Sequence, residues 1–321
     1  MPRAPFPTLA TLPPPPPGRK GWPWTVESAP CPPKMPNGSD WPRVSIVTPS
    51  FNQGQYLEET IRSVLLQNYP NLEYVVIDGC STDTSGDIIE RYRPWLHFAV
   101  SEPDRGQSHA LNKGFAWCSG EIYAWLCSDD ILLPGALHAV ARQMLLDEPV
   151  WLVGATEFVD ERRSSLKRIP PPDGFGMVNF LAWHSLAINQ PSIFWNRPMH
   201  LCAGSVDEGL HYCMDTDLWF RFYRIARLRF VPEYLSRFRH HSGSKTTPYG
   251  PHRDQPMAEL SEWVYSTLCA SQGDPQLRTE MVSAVGVLQE QMMILKRLRQ
   301  HIVFGRLFRL WRAIVNPEFP S

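Results

Sequence analysis

Arg43-Val-Ser-Ile-Val-Thr48, stopped by Pro49, is the run on which the fold of this chain turns. It is short, apolar and β-branched, as a strand buried on both faces requires. Working outward, Leu57, Ile61, Val64 and Leu65 recur at helical spacing and predict a helix that ends before Tyr69-Pro70. Leu72–Ile77 reads as a second strand closed by Asp78-Gly79, and Ile88, Ile89 and Tyr92 as a second helix. Phe98–Val100 gives a third strand, residues 107–118 a helix, and Ile122–Leu126 a fourth strand. Leu137–Leu146 is a further helix and Val150–Val153 a fifth strand. Strands alternating with such helices predict an α/β, doubly wound, mostly parallel sheet with helices on both faces. Ligands of such sheets bind beyond the carboxyl ends of the strands. The loops 48–54, 78–83, 101–106 and 127–130 all fall at that edge.

The flanks differ in texture. Residues 1–42 carry 14 of the 32 prolines, including the run Pro13–Pro17, which excludes helix and central strand. Trp22, Trp24 and Trp41 argue against plain disorder, so the segment reads as an extended arm with tryptophans pinned on the domain; a protein-recognition arm is the alternative. Residues 43–250 form the expected main domain, in two halves over 43–150 and 151–250. Residues 251–321 are an expected helical, basic extension. The net charge of −1 gives no overall pull toward nucleic acid. Seven cysteines, none in a CxxC pair, exclude a zinc ribbon and a disulfide framework and fit a reducing compartment. With neither a secretory leader nor a spanning apolar run, the expected location is cytoplasmic, or peripheral on the cytosolic face of a membrane.

The strand-end loops carry the chemistry. Thr48-Pro49-Ser50-Phe51-Asn52-Gln53-Gly54 holds neither Gly-x-Gly-x-x-Gly nor Gly-Lys-Ser/Thr, so a nucleotide here needs base stacking and side-chain hydrogen bonds. Phe51 and Asn52 suit that role; an ordinary tight turn is the other reading. Asp78, directly after a strand, suits a base edge or ribose hydroxyl, or else a turn or helix cap. Ser128-Asp129-Asp130 lies between the apolar runs Trp125–Cys127 and Ile131–Leu133. Two adjacent carboxylates there are costly unless compensated, and Mn²⁺ or Mg²⁺ is the natural compensation; a turn ahead of Pro134 is the alternative. Asp215 and Asp217 open a helical pattern, where acids favour the dipole or serve as a general base. Arg237-Phe-Arg239-His240-His241-Ser-Gly-Ser-Lys245 gathers cations for a diphosphate and a histidine for a metal.

Taken in order, these segments resemble the inverting glycosyltransferases of GT-A fold known as family 2, which include bacterial polysaccharide enzymes. The resemblance rests on Val44–Asn52, Gln67-Asn-Tyr-Pro70, Tyr74–Asp83, Ser101–Gln107 with Asn112-Lys-Gly114, Trp125–Asp130, Asp215–Trp219 and Arg239–His241, and covers residues 43–245. It implies that Thr48, Pro49, Phe51 and Asn52 hold the nucleotide base and ribose, that Asp78 bonds the base, and that Asp104 and Arg105 shape the donor pocket. It implies further that Asp129 contacts ribose or sugar, that Asp130 and His241 bind the metal, and that Asp215 is the base, with Asp217 as its rival. Three positions depart from the family pattern: Gly79 where a second Asp is common, Ser128 at the start of the acidic motif, and Met214 ahead of the base.

The expected partners are a nucleotide-sugar donor, a UDP-sugar by resemblance, and a saccharide or lipid-linked saccharide acceptor; Arg239 and Lys245 would take the diphosphate. Gln190 in Asn189–Trp195, and Trp219, would face the acceptor, since flat aromatics suit the C–H faces of sugars, while core packing is the alternative for the tryptophans. Gln291–Asn316 lacks acids and interleaves arginines with apolar residues, which suits membrane-surface contact through 291–315 or packing on the domain. A sugar nucleotidyltransferase is the rival enzyme, although Thr48–Gly54 has no basic residue. A catalytically silent nucleotide-sugar-binding scaffold is the rival outside enzymes.

Overall fold

The computed structural model describes residues 6–171, 174–178, 188–245, 255–284 and 286–287. The chain divides into two compact units, one of residues 1–173 with 185–259 and one of 174–184 with 260–321. The first unit holds a nine-stranded sheet. Its strands are β1 (Val44–Ser50), β2 (Leu72–Asp78), β3 (Phe98–Ser101), β4 (Ile122–Trp125), β5 (Ile131–Leu132), β6 (Trp151–Val159), β7 (Ser165–Ile169), β8 (Ile193–Asn196) and β9 (Arg229–Arg239). Its helices are α1 (Gly54–Leu65), α2 (Ser85–Tyr92), α3 (Gln107–Phe115), α4 (Ala136–Gln143), α5 (Arg197–Ala203) and α6 (Met214–Ile225), and α7 (Gln255–Ala270) begins in this unit.

The strand order is β3-β2-β1-β4-β8-β6-β9-β5, with β7 on β6. β1 pairs parallel with β2 and β4, and β2 with β3. Every residue of β1 is buried, the pattern of a parallel strand covered on both faces. α3 lies so close on it that a Cβ at Gly114 would come 2.4 Å from Val47 Cγ1. Beyond β4 the sheet is mixed: β8 runs antiparallel to β4 and β6, whereas β9 is parallel to β6 and antiparallel to β5. The expected fifth strand thus extends to Val159, and its neighbours come from later in the chain, residues 165–239, rather than from the preceding β-α unit. This arrangement sets Arg239, at the end of β9, beside Val159 and next to the acidic loop.

The proline-rich arm belongs to the first unit. Trp22, Trp24 and Trp41 are buried. Trp22 Nε1 donates to the Leu132 carbonyl at 2.7 Å, just past the acidic loop. Arg62 on α1 is fully buried and donates to the carbonyls of Pro13, Pro23 and Trp24. Proline-rich backbone cannot satisfy its own carbonyls, so a guanidinium with five fixed donors is a suitable anchor.

In the second unit, α7 continues from Leu260, a 3₁₀ turn spans Ser271–Gly273, and residues 275–284 are helical. Leu277, Met281 and Ala284, spaced as one helical stripe, are buried. The expected membrane-surface stretch 291–315 lies outside the described residues. Among the described residues no helix is long and apolar enough to cross a membrane. None of the seven cysteines forms a disulfide.

Candidate active site

A cleft of about 550 Å³ opens at the carboxyl edge of the parallel strands. Pro49, Ser50 and Phe51 line it from the end of β1, Gly79 from β2, Asp104 from the loop after β3, and Cys127–Asp130 from the loop after β4. The opposite wall comes from His211, Tyr212, Met214 and Asp215 at the start of α6, and Gly243–Lys245 follow β9. Gln190 lines the cleft with Nε2 donating to the Trp125 carbonyl at 2.8 Å.

The acidic loop is braced from behind. Thr60 of α1 donates to the carbonyls of Ser128 and Asp130, a bifurcated contact that fixes the turn. Asp130 is nearly fully buried, and its Oδ1 accepts the Arg239 backbone N–H at 3.0 Å. Burial first, then the adjacent Asp129 carboxylate, hold the Asp130 carboxyl well above the usual range. His241 Nδ1 accepts from the Gly243 N–H, which leaves Nε2–H to donate to Asp129 Oδ2 at 2.9 Å.

Ligand atoms of Cys127, Asp129 and Asp130 lie within 4.8 Å of one another. Desolvation and the two carboxylates raise the Cys127 thiol well above its ordinary value, so it stays protonated. A neutral thiol is a poor donor for a hard cation, whereas two crowded carboxylates suit Mn²⁺ or Mg²⁺. The donor set therefore fits a divalent ion held by Asp129 and Asp130. In this arrangement both ring nitrogens of His241 are engaged, Nδ1 by the Gly243 N–H and Nε2 by Asp129, which places the ring directly beside the acidic pair.

The remaining expected residues separate into two groups. Pro49, Phe51, Asp104, Asp129, Asp130, Gln190, Asp215 and Lys245 share the cleft. Phe51 is 62% exposed at its mouth, open on one face as a stacking platform requires. Asp104 Oδ1 accepts the Gly106 N–H at 2.8 Å. A Cβ at Gly79 would approach Asp104 Oδ2 to 2.8 Å and the Phe51 ring to 3.3 Å, so those side chains fill the space of the acid common at that position. Lys245 Nζ donates to Gln107 Oε1 and the His211 carbonyl; desolvation of Nζ lowers its pKa, against the pull of nearby acids.

Other expectations meet a different geometry. Thr48 is fully buried and bonded to the Tyr74 hydroxyl, so it supports the loop rather than touching a ligand. Asn52, with φ 51°, accepts the Thr82 N–H and braces the neighbouring loop. Asp78 is fully buried, and its carboxylate accepts from the Ser81 N–H and from the hydroxyls of Ser81 and Ser101, so it ties the loops at the cleft's edge. Arg105 pairs with Glu208 at 2.5 Å, outside the cleft lining. Arg239 is 2% exposed and is committed to Glu59 and the carbonyls of Asp129 and Glu161, above the Tyr56 ring, not to a diphosphate. Asp217 pairs with Arg221 at 2.7 Å, one turn along α6. Trp219 is fully buried, stacked on Trp125 with centroids 4.9 Å apart and edge-on to Trp195, which makes it core and not an acceptor contact. Cys127, Gln107, His211 and Tyr212 line the cleft without having been singled out for it from the sequence, where nothing in their types or spacing marks them.

Comparison with known proteins agrees with this layout. The chain is 31% identical over 216 residues to an uncharacterized glycosyltransferase of Rickettsia prowazekii, a match covering 64% of this chain and 66% of that protein. It is 38% identical over 96 residues to the putative teichuronic acid biosynthesis glycosyltransferase TuaG of Bacillus subtilis, covering 29% of this chain and 38% of the relative. The chain thus spans just under two thirds of the R. prowazekii protein and much less of TuaG. Among solved structures, S. aureus TarS superposes with a TM-score of 0.54 at 16% identity, over 76% of this chain and 42% of TarS, a likeness of fold. The glycosyl transferase family 2 model matches residues 45–223, which carry the parallel strands, the acidic loop and most of α6, and the chain belongs to that family.

Proposed function

We propose that this chain is an inverting glycosyltransferase that moves a sugar from a nucleoside-diphosphate donor to an acceptor hydroxyl. The observation that carries the reading is the meeting of Asp129 and Asp130 with Asp215 and Lys245 in one cleft at the strand ends. The donor's base stacks on Phe51, and its diphosphate lies toward the acidic loop and Lys245. UDP is the favoured nucleotide, since S. aureus TarS, of the same fold, has been solved with UDP and with UDP-GlcNAc.

Asp215 removes the acceptor hydroxyl proton as that oxygen attacks the anomeric carbon from the face opposite the diphosphate. The bond from carbon to diphosphate oxygen breaks, and the charge leaves with the nucleotide. Lys245 meets part of that charge directly. Asp129 and Asp130 would hold a divalent ion, which would supply Lewis-acid neutralisation of the leaving group. Asp104 and Gln190 bound the sugar's position. The acceptor is a saccharide or lipid-linked saccharide, in keeping with a role in polysaccharide or glycoconjugate synthesis at the cytoplasmic face.

The test is turnover. The full chain is incubated with UDP-, GDP- and dTDP-sugars, Mn²⁺ and a panel of glycoside acceptors, and nucleoside diphosphate release is followed. Release that requires Mn²⁺ and is lost in Asp130→Ala supports the proposal. Absence of release and of nucleotide binding across the panel refutes it.

A further inference from the structure

Three consecutive backbone N–H groups, those of His211, Tyr212 and Cys213, converge on one carboxylate. Glu259, on the second turn of α7, accepts from His211 at 3.0 Å through Oε2 and from Tyr212 and Cys213 at 2.6 Å each through Oε1. Successive N–H groups in one concavity form an anion site, and here the anion comes from the protein itself. Gln255, one turn earlier, accepts from the Tyr212 hydroxyl. The segment so held is the cleft wall: His211, Tyr212, Met214 and Asp215 all line the site. On its far side the His211 carbonyl accepts from Lys245 Nζ at 3.4 Å.

Cys213 is the N-cap of α6 and its own side chain makes no cap hydrogen bond, so what holds residues 211–213 bears directly on the setting of the first turn. A hydrogen bond to an ionised acceptor is about twice as strong as a neutral one, and three of them on one peptide run over-determine its path.

We infer that Glu259 is the positioning residue for the acceptor side of the cleft: it fixes the 211–213 wall and thereby the setting of Asp215, without touching substrate itself. The inference rests on the transferase reading for its kinetic consequence, but not for its structural one. Glu259 accepts from residues 211–213, whereas Phe51, Asp104 and the acidic loop lie on the opposite wall; its link to the donor side runs through the His211 carbonyl to Lys245. Loss of the carboxylate should therefore act far more on acceptor use than on donor use.

Two variants of the full chain separate this from a general loss of fold. Glu259→Gln keeps an oxygen for Tyr212 and Cys213 but turns an NH₂ toward the His211 N–H, whereas Glu259→Ala removes all three acceptors. Hydrogen exchange read by mass spectrometry should show amides 211–213 exchanging at least about tenfold faster in Glu259→Ala, less in Glu259→Gln, with β1 and β2 unchanged. Unchanged exchange at 211–213, or equal acceleration throughout the domain, overturns the inference. With UDP-sugar donor, Mn²⁺ and the best glycoside from the panel, Glu259→Ala should raise the acceptor KM about tenfold or more and keep the donor KM within about twofold, with Glu259→Gln in between. An equal rise in both KM values overturns the acceptor-side assignment. If wild type turns over no donor, the transferase reading fails, and the exchange experiment still decides the role of Glu259.

Discussion

Asp217 Oδ2 stands 2.7 Å from Arg221 Nη2, one helical turn along α6, whereas Asp215, two residues earlier, lines the cleft. Residues two apart on a helix point to different faces, so the pair of acids divides into one that braces the helix and one that meets the ligand. Asp215→Asn should lower transfer by about 10²–10⁴ while leaving UDP binding within about twofold. Asp217→Asn should stay within about fivefold of wild type and cost about 0.3–0.5 kcal/mol, the worth of an i,i+4 ion pair. Steady-state rates with calorimetric UDP titration check both. The opposite ranking would move the base to Asp217.

Phe51 is the large exposed aromatic at the cleft mouth. Stacking of a base on an aromatic ring is worth about 1–3 kcal/mol, so Phe51→Ala should weaken UDP binding by about 5- to 150-fold. Phe51→Trp should retain it. Because the side chain is already in solvent, stability should change by less than about 0.5 kcal/mol. Unaltered UDP affinity in Phe51→Ala would remove the stacking role.

The parallel half of the sheet was legible because each buried strand is a continuous apolar run closed by a turn, as in Leu72–Asp78. The mixed half was not. β8 is four residues long, and β9 carries Arg229, Glu233, Arg237 and Arg239 among its apolar positions. Its charges are absorbed by partners far along the chain: Glu157 for Arg237, and Glu59, 180 residues away, for Arg239. A pattern of residue types cannot reveal such a partner, and that is why Arg239 read as a phosphate ligand. The same blindness applies to Trp219. A tryptophan suited to a sugar face and one suited to a core are the same residue until Trp125, Trp151 and Trp195 are seen around it. The acidic loop was legible since adjacent carboxylates between apolar runs demand compensation whatever surrounds them.

Trp219 yields its own prediction from that cluster. Trp219→Ala should cost about 3–5 kcal/mol, as for other large buried aromatics, and Trp219→Phe much less. Acceptor KM in Trp219→Phe should match wild type, as measured by steady-state kinetics beside chemical denaturation. A selective rise in acceptor KM in a stably folded Trp219→Phe would return this residue to the acceptor site.

Arg62 holds the proline-rich arm through three carbonyls and lies 5.5 Å from the Trp24 ring. Arg62→Met leaves those buried acceptors and the Tyr92 hydroxyl without their donor. At about 1–3 kcal/mol for each group left unsatisfied, the total should be about 3 kcal/mol or more. The arm should also become the first segment cut in limited proteolysis, and release of Trp22 from Leu132 should loosen the acidic loop. A variant as stable and protease-resistant as wild type would show that the arm is held by its tryptophans alone.

Asp130 sets the pH behaviour of the metal-free protein. Burial and the neighbouring Asp129 raise its carboxyl well above the usual range, against the opposing pull of the Arg239 N–H and guanidinium. A carboxyl whose folded pKa exceeds its unfolded value of about 3.9 binds its proton more tightly when folded. The contribution of Asp130 to stability therefore falls as pH climbs from that unfolded value through the folded one, since ionisation leaves a buried charge beside another. Mn²⁺ compensates the same charge and competes with the proton for the same oxygens. The rise in Tm on adding Mn²⁺ should thus be larger at about pH 8 than at about pH 5.5. Asp130→Asn keeps Oδ1 for the Arg239 N–H but loses the charge. It should melt above metal-free wild type at the higher pH and ignore Mn²⁺ at both. A wild-type response to Mn²⁺ that does not grow with pH, or one that survives in Asp130→Asn, would take the cation away from the Asp129–Asp130 pair.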